Sequence, residues 1–191
     1  MGDNRSNVKG KGRRDVVTLV RRQHDDIRRL FDGVESALPE RRPAAFQPLV
    51  RLLAVHETAE ELVIYPTLLT AGSSARAAVQ ARKSEENAAK NALAALEGTD
   101  ARTPEFLDRL RAFRIDVEAH ASAEETEILP LLDQHRSPSE LRAMDAAFKT
   151  AELIAPTHAH RFAPESATGN LLLGPAVAIV DRVRDLLNTA R

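Results

Sequence analysis

Apolar side chains recur along this chain at alternating steps of three and four, the spacing of a helix with one buried face. The first such seam begins near Asp15 and runs Val17, Val20, His24, Ile27, Phe31, Val34 and Leu38, with Pro39 and Pro43 bracketing its end. A second runs Phe46, Leu49, Leu53, His56, Glu60 and Val63, with Pro48 read as lying in its first turn and Pro66 marking its weakening. After a loop at 71–74 a third seam carries Val79, Arg82, Glu86, Ala89, Leu93 and Leu96, and Gly98 is its stop. Thr103-Pro104-Glu105 opens a fourth, with Phe106, Leu110, Phe113, Val117, His120 and Glu124. No segment alternates in the two-residue period of a strand. Short connections make consecutive helices antiparallel neighbours. The pattern therefore predicts an all-α protein: an up-down-up-down four-helix bundle over 15–135, after a disordered basic tail (1–14) and before a helical extension (136–191).

The extension reads as a fifth amphipathic helix over 138–154, a loop at 157–170 containing His158 and His160, and a last helix with Leu172, Ala176, Ile179, Val183 and Leu187 on one face. These helices are expected either to cover the bundle or to form a homodimer contact. The two loop histidines are read as packing residues before a surface metal site, and His135 as exposed.

Composition narrows the function classes. The 191 residues contain no cysteine, which excludes disulfides, thiolate metal sites and a thiol nucleophile, and fits a cytoplasmic setting. The net charge of −1 and the aromatic content of 4% argue against nucleic-acid binding. No apolar stretch is long enough to span a bilayer, and no signal-peptide core stands at the N-terminus, so no membrane association is expected.

The seams themselves carry the chemistry. Their middles hold ionisable residues where a bundle wants apolar ones: His24, then His56 and Glu60, then Glu86, then His120 and Glu124. In an antiparallel bundle these positions meet at one depth. An unpaired buried ion costs several kcal/mol, against a total stability of about 5–15 kcal/mol, so the layer needs compensation. Neutral imidazoles and carboxylates are metal ligands, and a cation supplies it. The alternative is mutual salt bridging of the three histidines and three glutamates, with Arg82 neutralising Glu86. Tyr65, the only tyrosine, lies off the seam and reads as an interface or packing residue.

The chain also repeats itself. HETAEELVIYP at 56–66 and HASAEETEILP at 120–130 agree at six of eleven positions, at an offset of 64. At an offset of 62, His24 falls on Glu86. Each half is thus one helix with a single ligand-type residue and one with His-x-x-x-Glu, whose two side chains share a face about 6 Å apart along the axis. Two such halves make a two-fold cage suited to two ions.

His-x-x-x-Glu given twice, the first copy preceded by a histidine, resembles the hemerythrin-like HHE cation-binding proteins, whose pattern is a histidine and then His-x-x-x-Glu, twice over. The matching residues are His24 in QHDDIRRLF, His56 and Glu60 in HETAEE, and His120 and Glu124 in HASAEE. The resemblance spans about 15–135. It implies a left-handed four-helix bundle around two iron ions, a non-haem diiron centre with an oxo or hydroxo bridge. It also implies that Glu60 and Glu124 bridge the irons, that His24 and His56 cap one, and that Glu86 and His120 cap the other. The family's third helix supplies a histidine; here the aligned residue is Glu86, with Glu85 or Asn87 as alternatives by register. Oxygen donors favour ferric iron, so this substitution points to consumption of dioxygen, hydrogen peroxide or related small oxidants rather than reversible carriage. A non-catalytic iron, dioxygen or nitric-oxide binding module used in sensing is the second reading, and a metal-free helical interaction protein the third.

Overall fold

The computed structural model describes residues 14–155, and every element in that span is helical. The expected tail, His158, His160 and the helix through Leu172–Leu187 lie outside the described residues, apart from Arg14. Helix α1 (Val16–Ser36) starts where the Asp15 side chain accepts the Thr18 N–H at 3.0 Å. Helix α2 (Arg42–Ala59) begins earlier than its seam suggests, so Pro48 sits inside it rather than in its first turn. It passes through a widened turn (Glu60–Ile64) into a short α3 (Tyr65–Leu68). Helix α4 (Ser73–Glu97) starts two residues before the expected end of its loop, directly after Gly72, whose φ of 119° only glycine adopts without strain. Helix α5 (Pro104–Ala123) is capped by Thr103 and passes through a second widened turn (Glu124–Ile128) into α6 (Leu129–His135). The architecture is the antiparallel bundle that the seams predict, with two of its four members built from continued helices.

The two widened turns occupy equivalent places in the repeat. In each, the backbone closes from residue i to i+5: Tyr65 N–H bonds to the Glu60 carbonyl, and Leu129 N–H to the Glu124 carbonyl. Pro66 and Pro130 follow immediately. Proline has no N–H, and in a regular helix its ring strikes the carbonyl four residues back. A wider turn opens that space, so the helix continues where the prolines predict a weakening. The extra residue also changes the phase. In a regular helix Tyr65 would lie about 140° around the axis from Glu60. Across the widened turn it is brought closer in phase to Glu60, and its hydroxyl reaches inward to Glu86 and Glu124.

Two apolar clusters fill the bundle, one on each side of the mid-helix polar layer. One gathers Ile27, Phe31, Val34, Phe46, Leu49, Leu53, Leu93, Phe106, Leu110 and Phe113. The other gathers Val16, Val20, Val63, Ile64, Leu68, Val79, Ile128, Leu129 and Leu132. Fully burying one such side chain contributes roughly 1.5–3 kcal/mol, so the clusters hold the four helices in register whatever the layer between them costs. Arg42 bolts one end by donating to the Ala37 and Ala101 carbonyls, each at 3.0 Å.

Helix α7 (Pro138–Ile154), opened by a capping box between Ser137 and Glu140, is the expected fifth helix. It covers the bundle: Leu141, Met144, Ala147, Phe148 and Ala151 join the second cluster against α1, α2 and the first widened turn.

Candidate metal centre

The polar layer forms where the two clusters part. His24 stands between Val20 and Ile27 on α1, His56 between Leu53 and Ala59 on α2, and Glu86 between Val79 and Leu93 on α4. His120 follows Val117 on α5, and Glu60 and Glu124 are the first residues of the two widened turns. All six are buried except His120, whose side chain is 14% exposed. They form two overlapping groups, His24–His56–Glu60–Glu124 and Glu60–Glu86–His120–Glu124, with ligand atoms in each group within 4.8 Å of one another. Glu60 and Glu124 belong to both. Glu124 reaches across: Oε2 lies 3.3 Å from His24 Nε2 and Oε1 lies 3.6 Å from His120 Nε2. His56 Nε2 lies 3.4 Å from Glu60 Oε1.

Outer atoms of the imidazoles are held; inner atoms are not. His24 Nδ1 meets Glu125 Oε1 at 2.9 Å, His120 Nδ1 meets Glu85 Oε2 at 2.9 Å, and His56 Nδ1 meets Gln23 Oε1 at 2.7 Å. An imidazole whose Nδ1–H donates outward presents the Nε2 lone pair inward. Among the described residues, His24 Nε2, His120 Nε2, both Glu60 oxygens, Glu86 Oε2 and Glu124 Oε2 are buried without a hydrogen-bond partner. Buried polar atoms are rarely left so, and these six belong to residues that converge on one space. Lone pairs of nitrogen and oxygen facing one another are what a cation satisfies, so the residues fit a bound metal.

The electrostatics agree. Burial, together with the neighbouring Glu124 and Glu86 carboxyls, drives the Glu60 carboxyl well above its usual range. Burial and the Glu57 charge do the same to Glu86. Burial, reinforced by His24, lowers His56 to about 3. For Glu124 burial acts upward but is outweighed by the close approach of His24 and the charges of His120, His24 and His56, leaving it at about 2. Without a cation, burial therefore favours the protonated forms of Glu60 and Glu86 and the neutral form of His56.

Two residues meet partners that the seams do not show. Of its two readings, Tyr65 takes packing rather than an interface: it is buried in the core cluster, and its hydroxyl also donates to Glu86 and lies 2.8 Å from Glu124 Oε1, deep in the layer. The phase shift of the widened turn put it there, and a constant 3.6-residue period could not show that. Arg82, which the salt-bridge alternative would set against Glu86, donates to Glu85 at 2.7 Å and approaches Glu127 at 3.8 Å, so that alternative loses its neutralising cation. Glu85 is thus the residue behind His120, and Glu86 the one facing the cage. Gln23, Glu85 and Glu125, which orient the imidazoles, follow no hydrophobic period, so periodicity does not reveal that role.

The duplication extends to these outer residues. At the offset of 62, Gln23 corresponds to Glu85 and Arg28 to Lys90; at 64, Glu61 corresponds to Glu125 and Tyr65 to Leu129. Arg28 bonds Glu125 at 3.1 Å, and Lys90 bonds Glu61 at 2.5 Å. Where the halves differ, the Glu86 side carries more carboxyls, with Glu86 opposite a histidine in the repeat and Glu85 opposite a glutamine, and it adds the neutral hydroxyl of Tyr65 where the other half has a leucine.

A helical bundle whose paired His-x-x-x-Glu helices converge on unsatisfied inward-facing donors defines a cation-binding bundle. The comparisons with known proteins agree. The hemerythrin HHE cation binding domain model matches residues 15–132, and the chain belongs to that family. It is 26% identical over 174 residues, 90% of this chain and 86% of the other, to an uncharacterized hemerythrin-like protein of Schizosaccharomyces pombe. Its fold is similar to that of a crystal structure of a hemerythrin HHE cation binding domain-containing protein from Mycobacterium kansasii, with a TM-score of 0.62, 22% identity, and coverage of 88% of this chain and 98% of that one. No described helix is long and apolar enough to cross a membrane.

Proposed function

We propose that this protein is a non-haem diiron protein that consumes dioxygen, hydrogen peroxide or a related small oxidant. The carrying observation is the pair of overlapping four-residue groups that share Glu60 and Glu124. A single ion would need one group; two groups with two common carboxylates suit two ions. On this reading both ions would share Glu60 and Glu124, His24 and His56 would hold one, and Glu86 and His120 would hold the other.

When bound, an iron pair supplies two one-electron redox sites and Lewis acidity. The chain's own residues divide the rest of the work. Glu125, Gln23 and Glu85 hold His24, His56 and His120 with their Nε2 atoms inward. The two apolar clusters exclude water above and below. His120, the partly exposed member, marks the side open to a small molecule. Tyr65 holds a proton at its hydroxyl against Glu86, on that same side. Reducing hydrogen peroxide to two waters takes two electrons, which an iron pair would supply, and two protons from solvent; the Tyr65 hydroxyl would serve by donating a hydrogen bond beside the ions rather than by giving its proton up. A fixed hydrogen-bond donor there supports consumption of an oxidant, whose developing negative charge it would meet.

Elemental analysis and an ultraviolet–visible spectrum of aerobically purified protein test the reading. Two irons per chain and near-ultraviolet absorption are expected, and Glu60→Ala or Glu124→Ala should lose both irons while His24→Ala loses mainly one. Saturation at a single metal, or Glu60→Ala retaining both, would overturn the shared-carboxylate arrangement.

A further inference from the structure

The three imidazoles are not backed alike. Behind His24 and His120 stand the carboxylates of Glu125 and Glu85. An ionised carboxylate only accepts, so either one forces the proton onto Nδ1 and leaves Nε2 free to ligate. Behind His56 stands Gln23, whose amide has an accepting end and a donating end. With its oxygen toward His56 it imposes the same tautomer. Turned over, it donates to Nδ1, places the imidazole proton on Nε2, and aims that proton at Glu60, where it blocks a metal. Gln23 by itself does not choose.

We propose that Glu152 of α7 makes that choice, as a positioning residue for His56 that completes the site from outside the bundle. Gln23 Nε2 donates to Glu152 Oε1 at 2.5 Å while Gln23 Oε1 faces His56 Nδ1 at 2.7 Å. The carboxylate accepts only, so it holds the amide nitrogen and directs the oxygen inward. In the other half Glu85 needs no such helper, and no extension helix is required there. Helix α7 also sets the ring of Phe148 against His56, with centroids 6.2 Å apart, closing the same side of the site. Both residues lie beyond the 15–132 span that matches the family model. The extension is thus part of the metal centre's outer support, an assignment that rests on the reading of His56 as a ligand.

The experiment uses the full-length chain, stripped of metal and labelled with ¹⁵N-histidine. Long-range proton–nitrogen correlation should show wild-type His56 as a single Nδ1–H tautomer. In Glu152→Ala the amide is free to turn. In Glu152→Gln the new amide nitrogen can donate to Gln23 oxygen and turn it outward. Both variants should show a second population with Nε2–H, and Glu152→Asp should restore one tautomer. Titration with Co(II) should show one of two binding steps weakened at least roughly tenfold in the first two variants, the scale of losing an outer hydrogen-bond partner of a ligand. A role in packing α7 alone would move neither the tautomer nor a single step. An unchanged tautomer with unchanged Co(II) binding in Glu152→Gln, the variant that preserves shape, overturns the proposal. Failure of wild type to bind Co(II) would instead strike the metal reading, and the tautomer would still decide the role of Glu152.

Discussion

Tyr65 and Glu86 depart together from the internal symmetry. The residues matched to them by the repeat are Leu129 and His24, and here a hydroxyl and a carboxylate face each other instead. A carboxylate in place of an imidazole brings negative charge to one end of the cage, and the phenol spreads part of it through a hydrogen bond. Burial and the neighbouring Glu60, Glu124 and Glu86 carboxyls push the Tyr65 hydroxyl far upward, so it remains protonated at any ordinary pH. Tyr65→Phe is expected to keep both irons but to react with peroxide about tenfold more slowly, the scale of losing one hydrogen bond to a charged group. Stopped-flow spectroscopy measures the rate, and loss of one iron in this variant would instead make the phenol a ligand. Glu86→Gln should weaken one iron, because a neutral amide is a poor ligand. Glu86→His should retain both and raise the reduction potential, since nitrogen donors favour ferric iron less than anionic oxygen does. Unchanged iron content and spectrum in Glu86→Gln would remove Glu86 from the cage.

At the scale of elements, the widened turns and α7 determine what the seam residues meet. Each turn admits one extra residue before a proline and rotates the helix beyond it, so Glu60 and Glu124 sit where helix phase changes. Such turns recur at functional sites because they aim side chains that a regular helix cannot. Helix α7 then seals the His24–His56 side. Phe148 is fully buried in the cluster it shares with Val20, Val63 and Leu132. Phe148→Ala should cost about 3–5 kcal/mol, as a large cavity in a packed core does, and lower Tm by roughly 10 °C. A calorimetric scan with Tm unchanged would show that α7 is held by something other than this face.

At the scale of the whole molecule, the charge layer makes stability depend on pH and on metal in opposite ways. Burial, only partly offset by Lys90, raises Glu57 to about 8, and Glu60 and Glu86 are also raised. An acid raised on folding keeps its proton while the unfolded chain loses it. Its contribution is intact below about 4.5, its value in the unfolded chain, and is lost as pH climbs to about 8. His56, lowered to about 3, acts the other way between about 3 and 6.5 and adds no dependence above that. The metal-free chain should therefore lose stability between pH 6.5 and 8. Glu57→Gln should remove part of that loss, stabilising it by roughly 1–3 kcal/mol at pH 8. Metal ligation favours the ionised Glu60 and Glu86 that burial disfavours, so metal uptake should release protons and the stabilisation by metal should grow with pH. Calorimetry in buffers of different ionisation enthalpy measures that release. Equal pH dependence of the loaded and metal-free proteins would uncouple these groups from metal.

Periodicity alone determined much of this molecule. The seams of Val20, Ile27, Phe31 and their counterparts predict the four helices and their antiparallel order, because a helix settles where its apolar stripe is buried. The same periodicity, interrupted by His24, His56, Glu60, Glu86, His120 and Glu124, shows which polar side chains must meet, since a seam position is a core position whatever occupies it. Three things only the tertiary structure decided. The widened turns shift phase through a backbone hydrogen bond from i to i+5, which leaves no apolar signature beyond Pro66 and Pro130, so Tyr65 entered the layer unseen. Gln23, Glu85 and Glu125 act by the direction of a hydrogen bond, which no period encodes. And whether α7 covers this chain or a second copy depends on which face of the bundle is left open, and the fold leaves open the face beside His56.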